Sequence, residues 1–398
     1  MRIIHTADWH LGQFFYNKSR AAEHQAFLDW LLARIEEHQV DALIVAGDLF
    51  DTGTPPSYAR EMFNRFVVAL QPSGCQLVVL AGNHDSVATL NESRELLACL
   101  NTRVITTPQD GDDVLVLTTR RGEPGALLCA IPYLRPRDIM RSQAGQSGRD
   151  KQRSLLEAIT AHYQRSFAAA QALNLALPIV ATGHLTALGV SKSDSVRDIY
   201  IGTLDAFPAS AFPPADYIAL GHIHRAQRVA DSDHIRYSGS PIPLSFDELG
   251  SEKSVFLLDF SPSGLTVTPL TIPLFQPMQV LKGSLAQITR QLSQFSAPDG
   301  TKPVWLDIEV TTQEYLSDLQ RQVEALTASL PVDVLLLRRS REQRRHSLAQ
   351  LDKETLSELN VEEVFARRLA LDDALDADQI AQTTLRFKQT LSDLEEQP

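Results

Sequence analysis

The chain has 398 residues, 43% of them hydrophobic and 22% charged, a composition that excludes fibrous and disordered classes and allows a large core in two or more domains. A net charge of -12 argues against a uniformly basic nucleic-acid coat, but not against a nuclease, because a carboxylate-rich metal site is itself acidic until loaded. No apolar run approaches the roughly 18 residues of a membrane span, and His5 and Asp8 come too early for a signal peptide, so a cytoplasmic protein with no membrane partner is expected. Cys75, Cys99 and Cys129 are widely spaced and outside every motif, and read as reduced core residues.

In chain order, residues 2–6 read as a strand, 21–38 as a helix with Phe27, Leu28, Leu31 and Ile35 on one face, 41–46 as a strand, 58–70 as a helix and 76–80 as a third strand. This β-α-β-α-β opening predicts a parallel sheet whose ligands gather at the carboxyl ends of the strands. A helix is expected over 91–100, short strands over 114–117 and 127–131, a mobile polar loop over 141–153, a long helix over 155–173, and strands over 179–182 and 217–220. Residues 236–238, 255–260 and 265–270 read as antiparallel strands of a second, more antiparallel sheet, giving an α/β fold: a β-sandwich flanked by helices.

Pro269, Pro273 and Pro277 mark a boundary between a first domain, 1–272, and a small α+β domain, 273–340. The small domain reads as strand 280–281, helix 285–295, strand 304–310, helix 315–330 and strand 332–337. Five arginines follow within positions 338–345, and then residues 341–398 form a linker and an acidic helical hairpin, with 12 Asp and Glu against 5 Lys and Arg from residue 347 onward. Asn360 with Glu363 and Asp376 with Gln379 have capping-box spacing, and Ile380, Thr384, Phe387, Leu391 and Leu394 form a heptad-like seam. Two short helices cannot bury such a seam alone, so it docks on the body of the chain or on a partner protein.

The chemistry gathers at the ends of apolar runs. Ile44-Val45-Ala46-Gly47-Asp48 delivers one carboxylate into a cleft, and an unpaired carboxylate in an apolar surround would be protonated unless a cation met it. Asp8-Trp9-His10, Gly82-Asn83-His84-Asp85, Gly183-His184 and Gly221-His222-Ile223-His224 end similar runs. One Asp-x-His is weak evidence of a site. Five such pieces together supply the hard oxygen and imidazole ligands of a two-metal site, and without thiolate they suit manganese or iron(II) better than structural zinc.

This pattern resembles the calcineurin-like metallophosphoesterases, and Ile4-His5-Thr6-Ala7-Asp8-Trp9-His10-Leu11-Gly12 is similar to the opening of the bacterial SbcD family of nuclease subunits. The resemblance covers core, small cap domain and helical tail. It implies that Asp8, His10, Asp48 and His224 hold one divalent ion and Asp48, Asn83, His184 and His222 the other, both Mn²⁺, with Asp48 bridging. His222 and His224 would then sit on a turn and diverge to separate metals. His84 would protonate or stabilise the leaving oxygen, with Asp51 orienting it. Archaeal relatives often carry histidine at the Asp51 position, so Asp85 is a rival for that role.

The resemblance further implies a DNA exonuclease and endonuclease of a double-strand-break repair complex, with an SMC-like coiled-coil ATPase subunit (SbcC) docked through the tail. A homodimer near Met62 and Leu96 is implied as well. The chain has no Walker A sequence of its own, so ATP control would come from that partner. Arg135, Arg137, Lys192, Arg197 and the arginines between Arg338 and Arg345 are candidate phosphate contacts on DNA. The rival enzyme reading is a phosphatase or cyclic-nucleotide phosphodiesterase on the same site. A scaffold that has lost its metals is disfavoured because every ligand position is filled.

Overall fold

The computed structural model describes residues 1–340 apart from 109–112, 141–146, 194, 197–205, 296–301 and 312–315, and beyond 340 only residues 365, 382–384, 386 and 387. Most of the predicted tail, both capping boxes, Arg197 and the arginines at 341, 344 and 345 therefore lie outside the described residues.

Two six-stranded sheets face each other. The first runs, in spatial order, Gly264–Thr271, Ser254–Ser261, Arg2–Thr6, Ala42–Ala46, Gln76–Leu80 and Thr102–Ile105. Its last four strands are parallel, and the hairpin at its edge is antiparallel. The second runs Gln227–Arg228, Ile235–Tyr237, Tyr217–Gly221, Ile179–His184, Pro124–Cys129 and Val114–Thr118.

The strand period of two sorts the core into layers. Ala42, Ile44, Val78 and Leu80 of the first sheet meet Leu128, Val180, Tyr217 and Ala219 of the second in the central layer. The alternate residues Leu43, Val45, Leu77 and Val79 face outward onto Phe27, Leu31, Phe63 and Phe66 of helices Ala21–Glu37 and Ser57–Leu70. Ala181, Ile218 and Leu220 pack in the same way against Ile159, Tyr163 and Phe167 of helix Gly148–Ala172. Burial on both faces explains why Ala42–Ala46 is apolar throughout. His5 lies between the sheets, bridging the Tyr217 hydroxyl at 3.0 Å and the Leu220 carbonyl at 3.2 Å.

Several expectations are corrected. The second sheet is not mainly antiparallel: Ile235–Tyr237, Tyr217–Gly221, Ile179–His184 and Pro124–Cys129 run parallel. The antiparallel hairpin 254–271 belongs to the first sheet, where Ser254–Ser261 pairs with Arg2–Thr6. The helix expected over 91–100 is two short helices, Val87–Asn91 and Arg94–Ala98, the first capped by the Ser86 side chain. Part of the expected loop 141–153 is helix, because Ser147 caps the Asp150 amide and starts the long helix at Gly148. Cys75 and Cys129 are buried, but Cys99 ends a surface helix and is exposed.

The small domain has strands Met278–Gly283, Val304–Val310 and Val332–Arg339, all parallel, joined by helices Leu285–Leu292 and Leu316–Thr327. One sheet face packs on those helices through Leu281, Leu306, Ile308 and Ile288. On the other, Trp305 stacks on Phe15 at 5.8 Å and 10°, and Phe15 belongs to the segment that follows the predicted ligand His10. The buried Arg20 guanidinium lies 4.9 Å from the Phe15 ring and donates to the Pro243 carbonyl at 2.7 Å, tying this contact to the core.

Candidate metal centre

The parallel strands of both sheets release their chains at one end, where the loops interlock. Asp8 N donates to Gly47 O at 3.0 Å, His10 N to Asp48 O at 3.1 Å and Leu11 N to Leu49 O at 3.0 Å. Trp9 is the wedge of the first loop: fully buried, it packs edge-on to Phe27 and Phe66 and donates to Thr6 Oγ1 at 3.0 Å. With residue 9 held in the core, its neighbours turn the other way, and Asp8 (φ 54°) and His10 (φ 46°) adopt left-handed backbone. Asp48 (φ 51°) and His222 (φ 93°) do the same. Positive φ at four non-glycine residues costs of order 1–3 kcal/mol each and is the kind of strain that functional sites store. The left-handed His222 makes the turn expected between His222 and His224.

Two glycines allow the loops to close. Gly47 has φ +96°, and a Cβ there would lie 2.1 Å from His184 Nδ1. A Cβ on Gly82 would lie 2.1 Å from Asp48 Oδ1.

The structure brings all nine predicted site residues into this cleft. Asp8, His10 and His224 present ligand-type atoms within 4.8 Å of one another, as do Asp48, His184 and His222, and as do His10, Asp48 and His84. Asn83 Oδ1 lies 2.9 Å from His184 Nε2 and 3.1 Å from His222 Nδ1. His222 and His224 thus fall in separate groups.

The residues present fit cations. Asp8 Oδ2, His10 Nε2 and His222 Nε2 are buried and have no hydrogen-bond partner, a costly state for three polar atoms in one place, and Asp48 Oδ2 is met at hydrogen-bond distance only by the His184 ring. His184 shows the same need. Its Nδ1–H donates to Ala46 O at 3.0 Å, so Nε2 faces Asn83 Oδ1 at 2.9 Å and Asp48 Oδ2 at 3.2 Å, two oxygens that require a positive charge between them. Without a metal that charge is a proton: burial pulls the His184 imidazole down, but the Asp48 carboxylate more than offsets this and raises it to about 9. Burial likewise opposes the charge on Asp48, yet His184 and His10 hold its carboxyl well below the usual range. Asp8, with less compensation for its burial, is pushed up.

His84 is only partly buried, at the rim. Its amide donates to Asp48 Oδ1 at 2.8 Å and its Nδ1 to the Asp51 main-chain carbonyl at 2.7 Å, and the ring stands edge-on to His10 with centroids 4.7 Å apart. The Asp51 carboxylate meets His10 Nδ1 at 3.2 Å. Asp85 is engaged elsewhere, accepting from the amides of Leu49, Phe50 and Gly82 at 2.9–3.1 Å, and burial pushes its carboxyl up to about 6. It holds the Gly47-Asp48 loop against the Asn83-His84 loop.

Of the candidate DNA contacts, Arg135 donates to the main chain of Thr106 and Asp85, and Arg338 is paired with Asp307. Arg137 and Lys192 are exposed, and the Lys192 charge acts on His222. Sequence reasoning passed over Ser195, Glu248 and Lys253, which contact His224; no motif marks them, because Ser195 and Lys253 lie in loops and Glu248 ends a single 3-10 turn, Phe246–Glu248.

A calcineurin-like phosphoesterase model matches residues 1–226, and a second model, described as the type 5 capsule protein repressor C-terminal domain, matches residues 274–373. The chain belongs to the calcineurin-like phosphoesterases, whose members are metal-dependent, and within them to the SbcD family of SbcCD nuclease subunits. It is 63% identical to the SbcD subunit of the SbcCD nuclease of Escherichia coli (strain K12), over 99% of this chain and 98% of that one. The SbcD subunits of Rhodobacter capsulatus (33% identical, 83% of this chain and 85% of the relative) and Bacillus subtilis (30%, 80% and 81%) are also similar. No described helix is long and apolar enough to cross a membrane.

Proposed function

We propose that this chain is a manganese-dependent DNA nuclease, an exonuclease on double strands and an endonuclease on single strands and hairpins, acting in double-strand-break repair. The observation that carries the metal reading is the set of three unpartnered buried atoms on Asp8, His10 and His222, beside the His184 Nε2 that faces both Asn83 Oδ1 and Asp48 Oδ2. Asp8, His10, Asp48 and His224 would hold one cation, and Asp48, Asn83, His184 and His222 the other. Two divalent ions so placed would supply an activated water and neutralise phosphate charge.

The chain's own residues have distinct tasks. Asp48 would be shared between the two cations, and the His84 amide on its Oδ1 keeps Oδ2 turned toward His184. His84 is the acid for the leaving oxygen: with its Nδ1–H on the Asp51 carbonyl, Nε2 is left to carry the transferable proton to the substrate side. Asp51 acts on His84 through its main chain and on His10 through its carboxylate.

The relatives are named as subunits of a complex, and the acidic heptad seam of residues 341–398 supports docking on an SMC-like coiled-coil ATPase. Residues 273–340 would act as the DNA-facing cap. The exposed Val68 and Leu96, on the same helices as the buried Met62 and Leu97, support a homodimer contact there. A cytoplasmic place, on the nucleoid when DNA is bound, follows from this role.

The test is hydrolysis of linear and hairpin DNA by the full chain with manganese, with and without the ATPase. Asp48→Ala should lose cleavage and metal together. His84→Ala should lose about 10²–10⁴-fold in kcat while keeping its metal. Turnover of a small phosphodiester with no DNA cleavage in any combination would replace the nuclease by a phosphodiesterase. Unchanged ATPase affinity after deletion of residues 347–398 would remove the tail from the interface.

A further inference from the structure

Behind His224 lies a buried polar network that the hydrolytic mechanism does not use. Glu248 is fully buried and Lys253 nearly so. Glu248 Oε2 accepts from Lys253 Nζ and from the Leu244 amide at 3.0 Å, while Oε1 accepts from Ser193 Oγ at 2.8 Å and from Ser195 Oγ. Ser195 Oγ lies 2.6 Å from His224 Nδ1, and Glu248 Oε1 itself lies 3.4 Å from the same nitrogen, so the carboxylate acts on the ring both through the serine and directly. Lys253 Nζ reaches round to the other side of the same residue, donating to His224 O at 2.9 Å and to Ser240 Oγ at 2.8 Å. Ring and main chain of His224 are therefore gripped by the two ends of one ion pair.

The protons in this chain have one consistent arrangement. A carboxylate only accepts, so the Ser195 hydroxyl hydrogen points at Glu248. Toward His224 the serine oxygen can then only accept, which places a hydrogen on Nδ1 and leaves the Nε2 lone pair to a cation. Lys253 offsets the charge of Glu248, so the pair orients the ring while adding little net charge. The other ligand histidines are held differently, His184 by a main-chain carbonyl and His10 by the partly exposed Asp51.

We infer that Glu248, acting through Ser195 and balanced by Lys253, is a positioning residue that fixes the tautomer and aim of His224, and so sets the affinity of the Asp8–His10–His224 cation position independently of the other. This rests on the reading of His224 as a ligand.

The test is titration of the metal-free full chain with manganese, by calorimetry and by the spin-coupled resonance signal of a two-ion centre. Wild type is compared with Ser195→Ala, with the double variant Glu248→Gln/Lys253→Met, which strands no buried charge, and with His224→Ala. The expected result is one class of manganese weakened about 10–100-fold in Ser195→Ala and in the double variant, with the other class unchanged. The coupled signal should be lost at manganese concentrations that saturate wild type, while the melting temperature of the metal-free chain stays put. If the double variant does not fold, Ser195→Ala decides alone. With one class lost in His224→Ala, wild-type affinities in Ser195→Ala overturn the relay through the serine, and wild-type affinities in the double variant overturn the positioning role of Glu248. Two undiminished classes in His224→Ala overturn the ligand reading and this inference with it.

Discussion

The core and the small domain are both built from parallel strands joined by helices, and each buries a carboxylate completely, Asp8 in one and Asp307 in the other. In the small domain Arg338 meets both Asp307 oxygens, Nη2 to Oδ2 at 2.6 Å and Nε to Oδ1 at 3.2 Å, so the charge is matched within the fold. In the core the Asp8 Oδ1 accepts from the His222 amide at 2.8 Å, but Oδ2 has no partner, and neither do the neighbouring His10 Nε2 and His222 Nε2. The contrast shows where to look for chemistry in folds of one plan. Burial of an acid does not mark a site; an acid whose partner the chain itself does not supply does.

The largest effect that would sharpen the contrast is metal loading. Manganese at a hundredfold excess over Kd should stabilise the chain by about 2.7 kcal/mol, and in Asp48→Ala this gain should vanish. Urea melts at fixed protein concentration with and without metal would read it, and an equal gain in both proteins would break the comparison. Next, Arg338→Ala should cost about 1–3 kcal/mol by leaving Asp307 unpaired, toward the low end because the arginine side chain is 39% exposed, and should leave manganese stoichiometry alone. Asp8→Asn should move the other way in the metal-free chain, gaining about 0.5–2 kcal/mol while losing a metal, since it removes an uncompensated charge. Opposite signs in the two melts are the signature; a loss in both would mean that Asp8 is as fully satisfied as Asp307.

The smallest effect concerns pH. Burial drives the His5 imidazole from 6.5 down to about 3, so between those values the unfolded chain binds a proton that the folded chain refuses. Stability is therefore lost as pH falls below 6.5, by up to about 1.4 kcal/mol per pH unit from this residue. His5→Gln, which does not titrate, should narrow the difference between metal-free melts at pH 6.5 and 5.5 by about 1 kcal/mol, less than the full slope because the unfolded imidazole is only half protonated at pH 6.5. An identical pH slope in the variant would show that His5 is not the group responsible.

The site was more legible in the sequence than the fold around it. Apolar runs that stop at Gly-Asp or Gly-His carry their own meaning, because a buried strand cannot end in such residues without something to meet them. The first sheet was legible for a similar reason, as its helices and strands alternate locally. The second was misread because no helix separates Tyr217–Gly221 from Ile235–Tyr237, which hides their parallel pairing, and because the 254–271 hairpin completes a sheet that starts at residue 2. No local periodicity records a pairing of Ile3 with Leu258. Strand Thr102–Ile105 was missed for its shortness, and Glu248 because a carboxylate at the end of a short 3-10 helix looks like any solvated acid until Lys253 and Ser195 are seen against it.

The close approach at Gly47 has a genetic consequence. Every amino acid that a single base change can substitute for glycine carries a Cβ, and at this position that atom would fall 2.1 Å from His184 Nδ1 on a backbone already at φ +96°. Codon 47 is thus closed to one-step variation although its residue holds no proton and touches no phosphate. In a saturation scan for activity it should be as silent as codon 48, and a survey of tolerated changes would count this glycine among the working residues of the centre.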